Sequence, residues 1–424
     1  MLAPRYQISP TPNLLILWAF LTALAVVVLF YITIPLTPQI AEEYGISLRQ
    51  VGLGVTSFGL AYACGLLVFG PLSDKYGRVT IIFIGLWLLS AATFFMARAD
   101  SYSAFLSLRA LQGFVAAMIP AVILALHSDH LPPQLRTRGI ALTSFAFLSS
   151  APLVQLWMGT PTANLSQGMN TLWPLFIISA LVVPWFRLKK RQPLAAGSTT
   201  SETSPLSSSS ASSERPPTKT SAVPSALTIE PSTGTAPPRS ANHRLLRSPI
   251  IICCWLSAAT VLFSYTMFQT GFPIFWRASS SLMASIKLAA LLPLPLTIAA
   301  GFIIPLKGPV KVSICGLSLG ALACVLGMWQ HPIVIVLCSA LLSAGISLAV
   351  PGLIALTSYH SQPENRGLAL AVYSFILFLG ASLATPLAQW LSDHSYALWM
   401  LVPACALGSA AGLITFGAKR VASH

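Results

Sequence analysis

Apolar residues in this chain do not alternate with polar ones; they come in long runs separated by short polar stretches. Twelve such runs can be marked, at 13–36, 48–70, 78–97, 103–126, 136–159 and 169–187, and then at 249–272, 282–305, 309–328, 332–356, 366–390 and 395–417. At ~1.5 Å of rise per residue, a helix of ~20 residues crosses a hydrocarbon core of ~30 Å. A membrane β-barrel would instead show segments of about ten residues with alternating polarity. The pattern predicts an all-α, polytopic membrane protein with 12 transmembrane helices. The first run follows Arg5 and is too long for a signal-peptide core, so it is expected to be retained as the first helix.

One segment breaks the pattern. Residues 192–243 contain 13 Ser, 8 Thr and 8 Pro and no Phe, Trp or Tyr. Such a stretch cannot bury enough apolar surface to offset the entropy of ordering. It is expected to be a disordered linker between an N-terminal six-helix bundle at 1–191 and a C-terminal one at 244–424. Its Ser-Pro and basic content could hold a regulatory site, but a passive tether is the simpler expectation.

The two halves share local sequence. Ser47-Leu48 opens the second run and Ser281-Leu282 the eighth, and the same offset lays Pro71-Leu72 on Pro305-Leu306. Arg138-Gly139-Ile140-Ala141-Leu142 likewise matches Arg366-Gly367-Leu368-Ala369-Leu370 at the starts of runs five and eleven. Corresponding matches in a six-plus-six layout argue for a duplication, and so for two bundles related by a pseudo-two-fold axis along the membrane normal.

Charge then decides between partners. Only 8% of residues are charged, yet the net charge is +14, a value that by itself would suggest nucleic acid. With the N-terminus inside, 19 of the 24 Lys and Arg fall on the cytoplasmic side, so the basicity reports topology. No nucleic-acid partner is expected, and both termini should be cytoplasmic. All seven Cys fall within the runs and no C-x-x-C occurs, which gives no disulfide framework. His127-x-Asp129-His130 lacks a fourth ligand and reads as interfacial polarity rather than a metal site. No P-loop, dinucleotide-binding glycine pattern or nucleophile elbow is present, so neither cofactor nor catalytic residue is assigned.

Between runs two and three, Gly70-x-Leu72-x-Asp74-Lys75-x-Gly77-Arg78 interrupts the apolar chain. Topology alone would account for Lys75 and Arg78, but not for the acid or the glycine spacing. Asp74 can pair with Arg78 or meet the partly positive N-terminus of a neighbouring helix. Gly70 and Gly77 permit close approach and a tight connection. In run four, Arg109, Gln112, Gly113 and Ala116 share one helix face. A cation at that depth costs ~2.5–3.5 kcal/mol and either faces the bundle interior or snorkels outward.

The loop resembles the signature G-x-L-x-D-R-x-G-R-[KR] of the major facilitator superfamily, with Lys75 in place of the first Arg and Val79 in place of the last base. Leu108–Gly113 is similar to the R-x-x-Q-G motif of that family's fourth helix. The resemblance extends over helix number, topology, central loop and duplication. It implies a secondary transporter and not an enzyme, cycling by alternating access, with Asp74 latching one end of the molecule against span eleven. It also assigns Arg109 to proton coupling or to contact with an anionic substrate. Pro305-Leu306-Lys307-Gly308-Pro309, the second copy of the loop, lacks the acid, so such a latch would be one-sided. In span five, Phe147–Leu156 keeps Pro152 but lacks the glycines of the antiporter pattern G-x-x-x-G-P-x-x-G-G.

No Asp or Glu can be placed at the centre of a run. The expected cavity instead offers Arg109, Gln112 and Lys287 with Tyr31, Tyr62, Gln155, Tyr265, Gln269, Trp276 and Tyr373, a set suited to neutral, zwitterionic or anionic organic molecules. The tract Pro35–Ser47 resembles the first loop of drug-efflux members. Together these imply export of a small drug-like or metabolic compound by proton antiport, from a monomer in a bacterial inner membrane. An uptake permease for an organic anion or zwitterion and a non-transporting membrane sensor stand as alternatives.

Overall fold

The computed structural model of the chain describes residues 6–9, 12–160, 162–185, 187–190, 248–275, 280–362, 366–392 and 394–422. Within them are 12 spans long and apolar enough to cross a membrane. In chain order they are span one (Pro12–Tyr31), two (Leu48–Tyr76), three (Arg78–Met96), four (Tyr102–Ala116 and Pro120–His130), five (Pro133–Met158) and six (Leu165–Val182). The second set is span seven (Pro249–Phe275), eight (Ser280–Leu291 and Leu296–Lys307), nine (Pro309–Leu326), ten (Pro332–His360), eleven (Arg366–Ser392) and twelve (Tyr396–Ala422). Large apolar side chains such as Leu17, Phe95, Phe302 and Leu306 lie exposed, the arrangement expected when the outer solvent is lipid.

Proline sets most of the departures from the expected boundaries. Span one stops at Tyr31, not 36, and Thr37–Tyr44 follows as a separate two-turn helix. Pro35 and Pro38 lie at that break, and proline supplies no N–H and disfavours helix at the residue before it. Span four is interrupted at Ala117–Ile119, immediately ahead of Pro120, and span eight at 292–295, which contains Pro293 and Pro295. Span six begins at Leu165, where Asn164 accepts from the Gln167 amide at 2.8 Å, and ends at Val182, two residues before Pro184.

Span two begins with a capping box. Ser47 Oγ accepts from the Gln50 amide at 3.3 Å, and Gln50 Oε1 accepts from the Ser47 amide at 2.9 Å, so two otherwise unpaired donors are satisfied. At its far end Gly77 is the sole connection to span three, with φ +91°, and Gly308 repeats this between spans eight and nine with φ +83°. The duplication read in the sequence therefore has a backbone counterpart, since residues with a Cβ rarely adopt that conformation.

Spans one to six pack on one another, as do seven to twelve, and the halves meet along span two with eleven and span five with eight. The all-α fold carries one addition. Tyr6–Ser9 pairs antiparallel with Arg187–Lys190, Tyr6 opposite Lys190, tying the N-terminal segment to the chain just after span six. The Ser/Thr/Pro-rich stretch 192–243 and Trp276 lie outside the described residues.

Candidate functional site

Arg109 is fully buried, which removes the outward-snorkelling alternative. Its Nη1 donates to the Leu29 carbonyl at 2.9 Å and to Gln112 Oε1 at 3.3 Å, and its Nε to the Gly54 carbonyl at 3.3 Å. The guanidinium carbon stands 4.4 Å from the centre of the Phe58 ring. Span one ends at Tyr31, so the Leu29 carbonyl is among the last four, which have no intrahelical partner. Arg109 thus acts as a cationic cap on a helix C-terminus, where positive charge is favourable. Gln112 extends the network, its Nε2 donating to Thr93 Oγ1 at 3.0 Å. All these partners belong to spans one to four. The structure does not bring Arg109 to the seam between halves; it sits within the first one, with Nη2 buried and unpaired.

The remaining candidates divide by location. Tyr31 and Tyr62 are buried where spans one and two approach spans seven and eleven. Tyr62 lies 4.5 Å from Phe378, ring centre to ring centre, Phe30 lies 5.9 Å from the same ring, and the Tyr31 hydroxyl points toward Thr266. Tyr265 faces Gln269 and Ser343 in the second half, its hydroxyl buried without a well-formed hydrogen bond. Gln269 Nε2, Thr266 Oγ1 and Ser343 Oγ are likewise buried without a well-formed hydrogen bond. Tyr373 packs beside Cys254 within the second half, and no described contact joins it to the others.

Span five meets spans seven and eight through three side chains. Gln155 Nε2 donates to Gln269 Oε1 at 3.3 Å, and Lys287 Nζ donates to the Gln155 carbonyl at 2.9 Å. Span five ends at Met158, so this carbonyl too is one of the last four and Lys287 caps the helix across the seam. Along the other seam, Thr56 Oγ1 donates to the Ser382 carbonyl at 3.0 Å, and a Cβ on Gly52 or Gly59 would collide with Gln389 or Ser382. Sequence reasoning did not single out Thr56, Ser382, Phe378, Ser343 or Thr266. The small residues Gly52, Thr56 and Gly59, spaced three to four apart, are the signal that could have located the seam.

These crossings lie between mid-depth and the end marked by Ser47. At the opposite end the connecting loop is open. Asp74 Oδ1 pairs with Arg78 Nη2 at 2.9 Å, and the Asp74 side chain keeps 65% of its exposure. The Lys75 ammonium lies 5.3 Å from the Tyr76 ring centre. A Cβ on Gly70 or on Gly367 would meet nothing within 4 Å. Gly70 therefore makes no close approach here, and the expected contact of Asp74 with span eleven is not among the described contacts. His127 is fully buried with neither ring nitrogen in a well-formed hydrogen bond, wedged beside Gly139.

Similarity to known proteins bears on the same elements. Multidrug export protein EmrB of Haemophilus influenzae is 26% identical over 160 residues, 37% of this chain and 31% of that protein. Inner membrane transport protein YajR of Escherichia coli is 34% identical over 113 residues, 26% of this chain and 24% of the relative. The uncharacterized MFS-type transporter YceJ of Bacillus subtilis is 25% identical over 165 residues, 39% of this chain and 41% of the relative. Each alignment thus spans less than half of the relative's own length. The profile of the Major Facilitator Superfamily matches residues 19–307 and 255–424, nearly the whole length. With its twelve spans, paired halves and signature loop, the chain belongs to the Major Facilitator Superfamily.

Proposed function

We propose that this membrane transporter exports a small organic compound in exchange for protons, opening alternately at the Ser47 and Asp74 ends. The observation that carries the reading is the seam itself. Buried polar groups that face one another without well-formed hydrogen bonds (Thr266 Oγ1, Gln269 Nε2, Ser343 Oγ and the Tyr265 hydroxyl) lie beside the contacts that join the halves. A buried group left wholly unpaired costs ~1–3 kcal/mol, and cargo or water could recover part of that where the pairing is imperfect. Contacts clustered toward the Ser47 end, with Asp74 exposed at the other, fit a state closed on the Ser47 side. In that state the latch would be disengaged, and Asp74 would reach span eleven only when the opposite state forms.

The charge count supports placing the Asp74 end and both termini in the cytoplasm of a bacterial inner membrane, with 192–243 as a passive tether on that side. The name of the Haemophilus relative supports the export direction. Arg109 is assigned to coupling by its motif. Its burial on backbone carbonyls suits a role exerted through the helix ends it holds, not through contact with cargo. Acidification-driven flux in everted vesicles tests the whole reading: candidate compounds should dissipate a proton gradient, and Asp74→Asn should impair this at unchanged protein level. Uptake into intact cells that collapses with Arg109→Ala would overturn the export direction.

A further inference from the structure

Lys287 is a partly buried cation whose described partner is a neutral backbone carbonyl. No described carboxylate pairs with it; Asp74 and Arg78 form their ion pair at the other end of the molecule. No Asp or Glu falls at the centre of an apolar run of the sequence, and the described acids Glu42, Glu43, Asp74 and Asp100 lie between spans or at span ends, so none of them stands as a counter-ion at mid-span. Beside the ammonium stands Gln155, bonded to Gln269, whose Nε2 is a buried donor, only 3% of the residue being exposed, that faces the Tyr265 hydroxyl without a well-formed hydrogen bond. The Lys287 ammonium carries three N–H groups and has one described acceptor, so donors outnumber acceptors at this point of the seam.

The carbonyl that holds Lys287 belongs to span five, in the other half of the molecule. Separation of the halves at the Ser47 end removes it and leaves the ammonium bare at the mouth of the opening. An isolated charge in a poorly polar surrounding is costly. A carboxylate or sulfonate would satisfy it with bonds roughly twice as strong as those to a neutral carbonyl. Tyr265, one turn from Gln269 on the same helix face, and Tyr31 beside Thr266 supply aromatic surface next to these donors. Arg109, the other cation at comparable depth, is enclosed within its own half and capped on Leu29, so it is not available for this role.

Resting on the transporter reading above, we propose that Lys287, Gln269 and Gln155 receive the anionic group of the cargo, which is an organic monoanion with an aromatic or apolar body. The full chain in proteoliposomes tests this with three probes of one shape: benzenesulfonate, neutral benzenesulfonamide and cationic benzyltrimethylammonium. The expected result is at least a tenfold preference for benzenesulfonate flux, erased by Lys287→Gln and retained by Lys287→Arg. Size-exclusion profiles check folding. Should Lys287→Gln not fold, Gln269→Leu serves instead, because it keeps the Lys287 cap and should weaken benzenesulfonate alone. Equal loss for all three probes would reduce Lys287 to a clamp and overturn the proposal. Flux of the neutral or cationic probe without benzenesulfonate would overturn it while leaving the transporter reading intact. Absence of flux for all three overturns it as well, whereas the transporter reading is then judged by the vesicle proton assay.

Discussion

Replacing Gly113 by alanine probes the support of Arg109 without touching the charge. The added Cβ would meet Phe58 backbone atoms in span two: its carbonyl oxygen, its carbonyl carbon at 2.8 Å and its Cα at 2.9 Å. Ordinary contact begins near 3.4 Å, so the Phe58 carbonyl carbon alone must retreat by roughly 0.6 Å and the oxygen, which is nearer still, by more. Because the obstruction is backbone, no side-chain rotation relieves it. Overpacking of this kind costs typically ~1–3 kcal/mol. The retreat also lengthens the bond from Arg109 Nε to the Gly54 carbonyl, one turn before Phe58 and already 3.3 Å long. Gly412→Ala is the control, since a Cβ there meets nothing within 4 Å and a helix interior gains up to ~1 kcal/mol from alanine. Thermal unfolding of purified protein, followed by fluorescence-detected size exclusion, should show a lower midpoint for Gly113→Ala and none for Gly412→Ala. Equal midpoints for both variants would refute the argument that spans two and four are held at contact distance by the absence of a side chain.

Gly77→Ala and Gly308→Ala should each destabilise by ~1–3 kcal/mol in the same assay, because both positions hold positive φ that alanine tolerates poorly; unchanged midpoints would count against the single-residue hinges. Tyr44, in the short helix after span one, donates to the Ala99 carbonyl at 2.8 Å, and burial, with Glu43 and Asp100 nearby, pushes its phenol up from 10.0 to about 12. The neutral phenol is the form the fold favours, so its contribution is fully present below pH 10 and is lost as pH rises toward 12. Across that window Tyr44→Phe should lose less stability than wild type, and parallel losses would show that the phenol is not the group concerned.

Much of the architecture was legible in the chain. Twelve runs became twelve spans because the bilayer leaves a polypeptide few ways to satisfy its own backbone, and run length alone then identifies a helix. The loop at 70–78 and the paired Pro-Leu and Arg-Gly matches located the duplication for a similar reason, since one backbone geometry must recur in both halves. Helix ends were less legible: the interruptions at Ala117–Ile119 and 292–295 required weighing single prolines inside otherwise continuous apolar runs.

Side-chain partners were not legible. Arg109 and Lys287 look alike in sequence, each a lone cation within an apolar run. The tertiary structure seats the first on Leu29 within one half and the second on Gln155 across the seam. Sequence by itself determined that the chain spans a membrane as a duplicated bundle, because hydrophobic length and repetition are properties of the chain. Only the tertiary structure decided which polar groups meet between the halves, because such contacts join spans more than a hundred residues apart, and helical periodicity carries no information about a neighbour's face.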